Sequence, residues 1–326
     1  MRIAITGASG YIGTVLTPLL LSHGHTLKVL TRKTLPDDIP EGIAFVYGNL
    51  LDNDSLQDLV KDADVVIHLA AMISVDDKPD EMLFRVNTSG TRLLVAAALQ
   101  AGVKRFIHLS SVTAYTQAPY DEPMDETRPP AKDVQHSYDH SKAVSQAIAL
   151  EYNGNGMEVI VLAPTAVMGP YDQQPSLIGK AVVNIYNGKI PALFPGGVDF
   201  VDVRDVAAAV VSAITRGTPG KAYLLSGKWV SLVTLSEEIG RIKGKRISLW
   251  VVPLWLVFGM LPLVRMLARL RGGPPFYTRQ SVYNLIYSNK KIDYSKAKAD
   301  LQFQPRAFTE TLRDTIEWFK QTGAIR

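Results

Sequence analysis

The sequence predicts a doubly wound α/β protein, a parallel sheet with helices on both faces and a smaller C-terminal unit. Three observations predict it. Short apolar runs recur at Ile3–Thr6, Leu27–Thr31, Ala44–Tyr47, Val65–Leu69, Arg105–Leu109, Val159–Leu162 and Tyr223–Leu225. They are mostly continuous rather than alternating, as strands buried on both faces require. Helical patterns separate them, with Gly13–Ser22 after the first run, Thr91–Ala101 after the fourth and Ser137–Tyr152 after the fifth. Strand–helix–strand repetition of this kind builds parallel sheets. Glycines also cluster at the first strand-to-helix junction, where a crossover needs a sharp turn.

The alternation fades after Pro170, and 326 residues is long for one ordinary domain. Residues 1–169 with a return segment at 196–226 read as the first domain, and 227–326 with 170–195 as the second. Gly196–Ala209 continues the core pattern, with Asp205 the expected N-cap of an Ala/Val-rich helix. A hydrophobic content of 47% with 20% charged residues excludes a disordered chain. A net charge of +4 without a Lys/Arg block gives no footing for nucleic acid. The chain has no cysteine. That excludes disulfides, thiolate metal sites and a Cys nucleophile, and it fits a reducing, cytoplasmic setting. Met1-Arg2 leads directly into a strand pattern, so no signal peptide is expected.

Gly7-Ala8-Ser9-Gly10-Tyr11-Ile12-Gly13 has the spacing GxxGxxG. Glycine lets the backbone turn tightly and approach a pyrophosphate, and the following helix offers free N–H groups with a positive dipole end. A glycine triplet can equally be a tight turn with nothing bound. Its place at the first strand–helix junction favours a Rossmann-type dinucleotide site at Gly7, Ser9, Gly10, Tyr11, Ile12 and Gly13. The second strand then ends in Thr31-Arg32-Lys33, with two cations where a cofactor lacking the 2′-phosphate is usually met by an acid. NADP(H) is therefore expected over NAD(H). Arg32 is the better candidate, because its planar fork pairs with phosphate oxygens.

Tyr138 and Lys142 stand four apart, one turn apart on one helix face. A free phenol titrates near 10, so proton transfer near neutrality needs a shift of roughly three units, about 4 kcal/mol, which a neighbouring ammonium can supply. The spacing alone is cheap, since Tyr287/Lys291 and Tyr294/Lys298 share it. Only Tyr138/Lys142 opens a helix that follows a strand ending in Ser110-Ser111. Strand C-terminal ends gather at the ligand crevice of a parallel sheet, so Ser111 is expected beside the glycine loop, its hydroxyl placed to hydrogen-bond a substrate carbonyl.

The chain resembles the extended short-chain dehydrogenases/reductases, in the branch of dihydroflavonol reductases, steroid dehydrogenases and sugar epimerases. TGASGYIG at 6–13, HLAA at 68–71, VNTSGT at 86–91, LSSVTAY at 109–115, YDHSK at 138–142 and PTAVMGP at 164–170 carry the resemblance. VDVRDVA at 201–207 and YSKAKADLQFQP at 294–305 extend it towards the C-terminus. It implies Tyr138 as general acid/base, Lys142 as its tuner and ribose anchor, Ser111 as the third member, and Asn87 in support of a water-linked proton relay. It also implies a cofactor site along Asn49, Leu50, Leu69, Ala70, Ala71, Ser110, Pro164 and Val167, hydride transfer at the nicotinamide, and a homodimer through Thr91–Ala101 and Ser137–Tyr152. Three departures stand out. Asn49 replaces a frequent Asp at the adenine, Ala163 replaces an arginine common in nucleotide-sugar enzymes, and Val112-Thr113 replaces the Asp-Glu pair of dehydratases.

His136 and His140 share metal-ligand spacing, but no third ligand accompanies them, so no metal is expected. His136 can instead face the substrate entrance. His68 reads as a satisfied strand histidine, and Pro119–Pro130 as a solvated loop near the pocket. Ile247–Val264 is an uncharged run of 18 residues, flanked by Lys243, Lys245 and Arg246 and by Arg265, Arg269 and Arg271. Pro253, Gly259 and Pro262 weaken a membrane span. Two readings stay open: an apolar pocket wall, which is favoured, or a peripheral membrane contact through 247–271. Both imply a hydrophobic small-molecule substrate. The expected function is NADP(H)-dependent reduction of a bulky apolar ketone or aldehyde, or oxidation of the matching alcohol. A nucleotide-sugar epimerase with tightly bound NAD is the enzyme alternative, and a dinucleotide-sensing or assembly protein the non-enzymatic one.

Overall fold

The computed structural model describes residues 1–32, 41–74, 80–131, 137–270 and 278–325. The first half runs β1 Arg2–Thr6, α1 Tyr11–Ser22, β2 Thr26–Thr31, β3 Ile43–Tyr47, α2 Asn53–Val60, β4 Val65–His68, α3 Glu81–Gln100, β5 Arg105–Leu109, α4 Ser137–Glu151 and β6 Glu158–Pro164. It continues with β7 Ala166–Met168, α5 Leu177–Tyr186, β8 Ala192–Leu193, β9 Gly197–Asp202, α6 Val203–Ala213, β10 Lys221–Leu225, β11 Lys228–Ser231 and α7 Leu232–Lys243. The chain ends with β12 Trp250–Val251, α8 Leu254–Leu270, α9 Arg279–Ile286, α10 Ser295–Leu301 and α11 Phe308–Gln321.

Seven strands form one sheet in the order β10-β6-β5-β4-β1-β2-β3, and every pair is parallel. All seven predicted runs are in it. On one face Leu56, Leu59, Leu94, Ala98, Phe106 and Ala149 bury under α2, α3 and α4. On the other, Leu16, Leu20, Val206 and Val210 bring α1 and α6 onto Ile3, Ile5, Ile107 and Ile160. Both faces being covered is why the runs are continuously apolar. Chain order reverses at β1, whose neighbours are β2 on one side and β4 on the other. A crevice opens there beyond the strand C-termini.

Ala297, Leu301 and Phe303, around α10, return to the sheet's α1/α6 face. A second core gathers Val182, Phe200, Val230, Leu235, Val282, Leu312 and Phe319 around the three-stranded sheet β11-β9-β7.

Two expectations are corrected. The helix after the fourth strand, α3, begins at Glu81, ten residues before Thr91, where the Asp80 carboxylate accepts the Leu83 N–H at 3.0 Å. Its first half buries only Leu83 among large apolar side chains, beside Asn87, Thr88 and Gly90, which hid the helical period. The cap of α6 is Asp202, accepting from the Arg204 N–H at 2.8 Å. Asp205 lies inside the first turn, where it accepts the Arg306 N–H at 2.7 Å and pairs with that guanidinium.

Candidate active site

Strand register brings the site together. Thr6 lies opposite Leu30 and His68, His68 opposite His108, and Leu109 opposite Leu162. The residues that follow each strand therefore share one rim: the glycine loop after β1, Arg32 after β2, Leu69–Ala71 after β4, Ser110-Ser111 after β5, and Pro164–Val167 at and beyond the end of β6.

The glycine loop is built for close approach. Gly7 has φ +80°, and a Cβ there would stand 2.6 Å from the Ala70 N and 2.9 Å from the Leu69 carbonyl carbon. A Cβ on Gly13 would strike the Gly7 carbonyl oxygen and come within 2.5 Å of Ala8. Gly10 caps α1 without any side-chain hydrogen bond, so the first-turn N–H groups at Tyr11 and Ile12 point from an uncapped helix end beside the exposed Ser9. The Tyr11 hydroxyl donates to the Gly169 carbonyl at 2.6 Å, tying the loop to the segment after β7. Its phenol is held well above the usual range by burial and then by the Asp172 and Asp202 carboxylates.

Arg32 is exposed at the end of β2; Lys33 lies outside the described residues. Asn49 follows β3 on the same side and is also exposed, its Oδ1 accepting the Leu51 N–H at 2.9 Å. Leu50 is buried and packs against Gly90 of α3.

The next strands supply the reactive side chains. Ser111 Oγ lies 3.0 Å from Thr113 Oγ1 and accepts the Thr113 N–H at 3.2 Å. Its hydroxyl neighbours the Tyr138 phenol and lowers that group's pKa. Lys142 is only 4% exposed, and its ammonium donates to the Leu109 carbonyl at 2.6 Å. Burial brings its pKa down to about 8. The expected depression of Tyr138 by Lys142 is corrected here. Burial, followed by the neighbouring Asp139 carboxylate, pushes the phenol above its ordinary value, and the Ser111 hydroxyl pulls it down. The ammonium is directed to the β5 carbonyl instead.

Asn87 is 2% exposed and fully engaged. Its Oδ1 accepts the Met72 N–H at 2.8 Å, and its Nδ2 donates to the Met72 carbonyl at 2.9 Å and to Ser141 Oγ at 2.9 Å. Ser141 Oγ in turn donates to the Tyr138 carbonyl at 2.7 Å. Both amide protons thus clamp the loop after β4 to the first turn of α4. His68 bridges Thr6 Oγ1 at 2.7 Å and Thr91 Oγ1 at 3.0 Å, and burial, then the Lys142 charge, lowers its pKa to about 3. It is a neutral strut between β1, β4 and α3. His140 stacks on Phe84 at 5.4 Å; His136 lies outside the described residues.

Sequence reasoning missed Ser141 and Gln146. Gln146 accepts from Ser110 Oγ at 2.7 Å and donates to the Tyr115 hydroxyl at 2.8 Å, holding the β5 exit against α4. Its signal was available, because 138, 142 and 146 fall on one helix stripe.

A glycine cradle at a switch point, facing a hydroxyl–phenol–ammonium rim, defines a nucleotide-dependent α/β enzyme, and comparison with known proteins agrees. The model of the NAD dependent epimerase/dehydratase family matches residues 3–226. The chain is 30% identical over 330 residues to "Sterol demethylase protein B" of Methylococcus capsulatus, covering 100% of both chains. It is 29% identical to a "Putative dihydroflavonol 4-reductase" of Synechocystis, covering 99% of this chain and 95% of that one. The solved structure described as "Crystal structure of gox2253" superposes with a TM-score of 0.83 at 30% identity, over 100% of this chain and 99% of that one. The chain belongs to the NAD dependent epimerase/dehydratase family, within the extended short-chain dehydrogenases/reductases, and is an NAD(P)-dependent enzyme.

Proposed function

We propose that the chain is an NADP(H)-dependent oxidoreductase that reduces a bulky apolar ketone or aldehyde, or oxidises the matching alcohol. The observation that carries this reading is the Tyr138 phenol with the Ser111 hydroxyl and buried Lys142 as neighbours, on the rim that also bears the Gly7–Gly13 cradle. The residues fit a dinucleotide, since a Cβ at Gly7 or Gly13 would fill the cradle and no side chain caps α1. Gly7, Ser9, Gly10, Tyr11, Ile12 and Gly13 would hold the pyrophosphate. Leu69–Ala71, Ser110, Pro164 and Val167 would line the cofactor, Asn49 and Leu50 would meet the adenine end, and Arg32 the 2′-phosphate. When bound, the nicotinamide supplies or accepts the hydride.

The remaining work falls to the chain. Ser111 donates a hydrogen bond to the substrate oxygen, and the Tyr138 phenol gives its proton to that oxygen as negative charge develops there. The Lys142 ammonium, held on the Leu109 carbonyl, anchors the ribose hydroxyls. Asn87 positions this pair through Met72 and Ser141. Three features support an apolar substrate. Ala163 is fully buried where a nucleotide-sugar enzyme would carry an arginine. Ile73, 70% exposed, and Met82, 53% exposed, follow the cofactor-lining turn. A full-length relative bears a sterol name.

Fluorescence titration with NADPH and NADH tests the cofactor assignment. NADPH is expected to bind about tenfold tighter or better, a difference of about 1.4 kcal/mol, and Arg32→Ala to erase that margin. Equal affinities, or NAD carried through purification, would overturn it. Tyr138→Phe is expected to lower kcat on an apolar carbonyl by about 10²–10⁴-fold while NADPH binding persists; undiminished turnover rules out the proposed acid.

A further inference from the structure

Over its first nine residues, Leu254–Pro262, helix α8 is apolar on both sides. Leu254, Val257, Phe258 and Leu261 pack into the second core. Facing the other way, Trp255, Gly259, Pro262 and Met266 follow the i, i+4, i+7, i+11 spacing of a single helical stripe and are all exposed. Trp255 is 75% exposed, and Trp250 of the preceding β12 is 84% exposed beside an exposed Val251. Two exposed tryptophans and a stripe with no polar side chain are unfavourable in water and suited to the boundary between headgroups and acyl chains. Among the described residues no helix is long and apolar enough to cross a membrane.

The charge of the segment that carries this face selects the occupant. Between Ile239 and Ile292 the sequence holds ten Lys/Arg and no Asp or Glu, whereas the whole chain carries +4, so the rest carries −6. Lys245 and Arg246 are exposed just ahead of Trp250. A second copy meeting this face symmetrically would set the same positive segment against itself. An anionic lipid surface satisfies the cations and takes up the apolar stripe.

We propose that β12 and the outer stripe of α8 dock this protein on the surface of an anionic bilayer, the helix lying in the interface without spanning it. The inference goes beyond the catalytic reading and stands independently of the substrate.

Co-sedimentation of the full chain with phosphatidylcholine vesicles, alone or with about a third phosphatidylglycerol, tests it. Apparent affinity is expected to be about tenfold higher for the anionic vesicles and to fall with salt. Tryptophan emission should shift to the blue on binding and be quenched by brominated acyl chains. The Trp250→Ser/Trp255→Ser variant should lose about tenfold or more in binding and lose the quenching. Lys245→Glu/Arg246→Glu should remove the preference for anionic lipid. Circular dichroism and thermal midpoints matching wild type establish that the variants are folded. Absence of vesicle binding overturns the proposal, as does equal binding by the tryptophan variant. Concentration-dependent self-association lost in Trp255→Ser, without vesicle binding, would assign the face to a second copy and overturn it too.

Discussion

Lys142 shows how burial sets chemistry at a single residue. Burial desolvates its ammonium to a pKa of about 8, so most of its charge is kept at neutral pH and is lost as pH rises through that value. We predict that kcat/KM for carbonyl reduction falls on the alkaline side with an apparent pKa near 8. Lys142→Arg, if it retains measurable turnover, should move that limb upward; an unmoved limb would assign it to another group. Behind the lysine, His68 and His108 are buried with their rings 5.3 Å apart, and burial followed by the Lys142 charge lowers both pKa values. Their direction fixes the sign of a stability effect. Above about pH 6.5 the imidazoles are neutral in folded and unfolded chains alike, and they cost nothing. As pH falls below 6.5 the unfolded chain gains protons that the folded chain refuses, so stability drops until His68 itself titrates near 3. The cost is up to about 1.4 kcal/mol per pH unit for each histidine. Urea unfolding at pH 7.5 and 5.5 should show this loss, and His108→Gln should flatten it. Parallel slopes in the two proteins would count against the assignment. His108 suits the test because its Nδ1 has no hydrogen-bond partner and its Nε2 only a 3.4 Å contact with Ser145.

At the scale of elements, the site depends on how α3 and α4 are joined across the end of the sheet. Asn87 lies within α3, yet its three hydrogen bonds reach the loop after β4 and the first turn of α4. Asn87→Leu keeps the volume but leaves the Met72 N–H and carbonyl without these partners. We predict a loss of about 2–4 kcal/mol in unfolding free energy, from unsatisfied buried polar groups. Because the loop and α4 both shift, KM for cofactor should rise together with a fall in kcat. A variant that lowers stability alone would make Asn87 purely structural. The VNTSGT segment was legible as a motif, but the Asn87 partners were not. Met72 and Ser141 stand 15 and 54 residues away, and nothing local in the sequence encodes those pairings.

Across the whole molecule, Asp202 ties the two cores. Its carboxylate caps α6, accepts from Thr311 of α11 at 2.8 Å and holds Arg204, which also reaches Asp314 of α11 at 2.7 Å. The group is 2% exposed. Asp202→Ala would leave Arg204 and Thr311 with unmet donors and remove a cap, and a loss of about 3–5 kcal/mol is expected. Thermal unfolding should then split into two transitions or shift down as one; an unchanged midpoint would show that apolar packing alone couples the cores. The same scale governs the C-terminal unit. Phe303 and α10 return to the first core, although the helices before and after them in sequence pack into the second.

The sequence by itself determined the seven strands of the main sheet, the cradle at Gly7–Gly13, and the Tyr138/Lys142 pair after Ser111. These are local signals: an apolar run long enough for a buried strand, a glycine where a backbone must pass within 3 Å of another, and a four-residue helical spacing. The tertiary structure alone decided which cap opens α6, which carbonyl takes the Lys142 ammonium, and which side of α8 meets water. Each depends on partners brought together across the fold. Burial and pairing are properties of neighbours in space, and a parallel sheet with crossovers takes most of its neighbours from far along the chain.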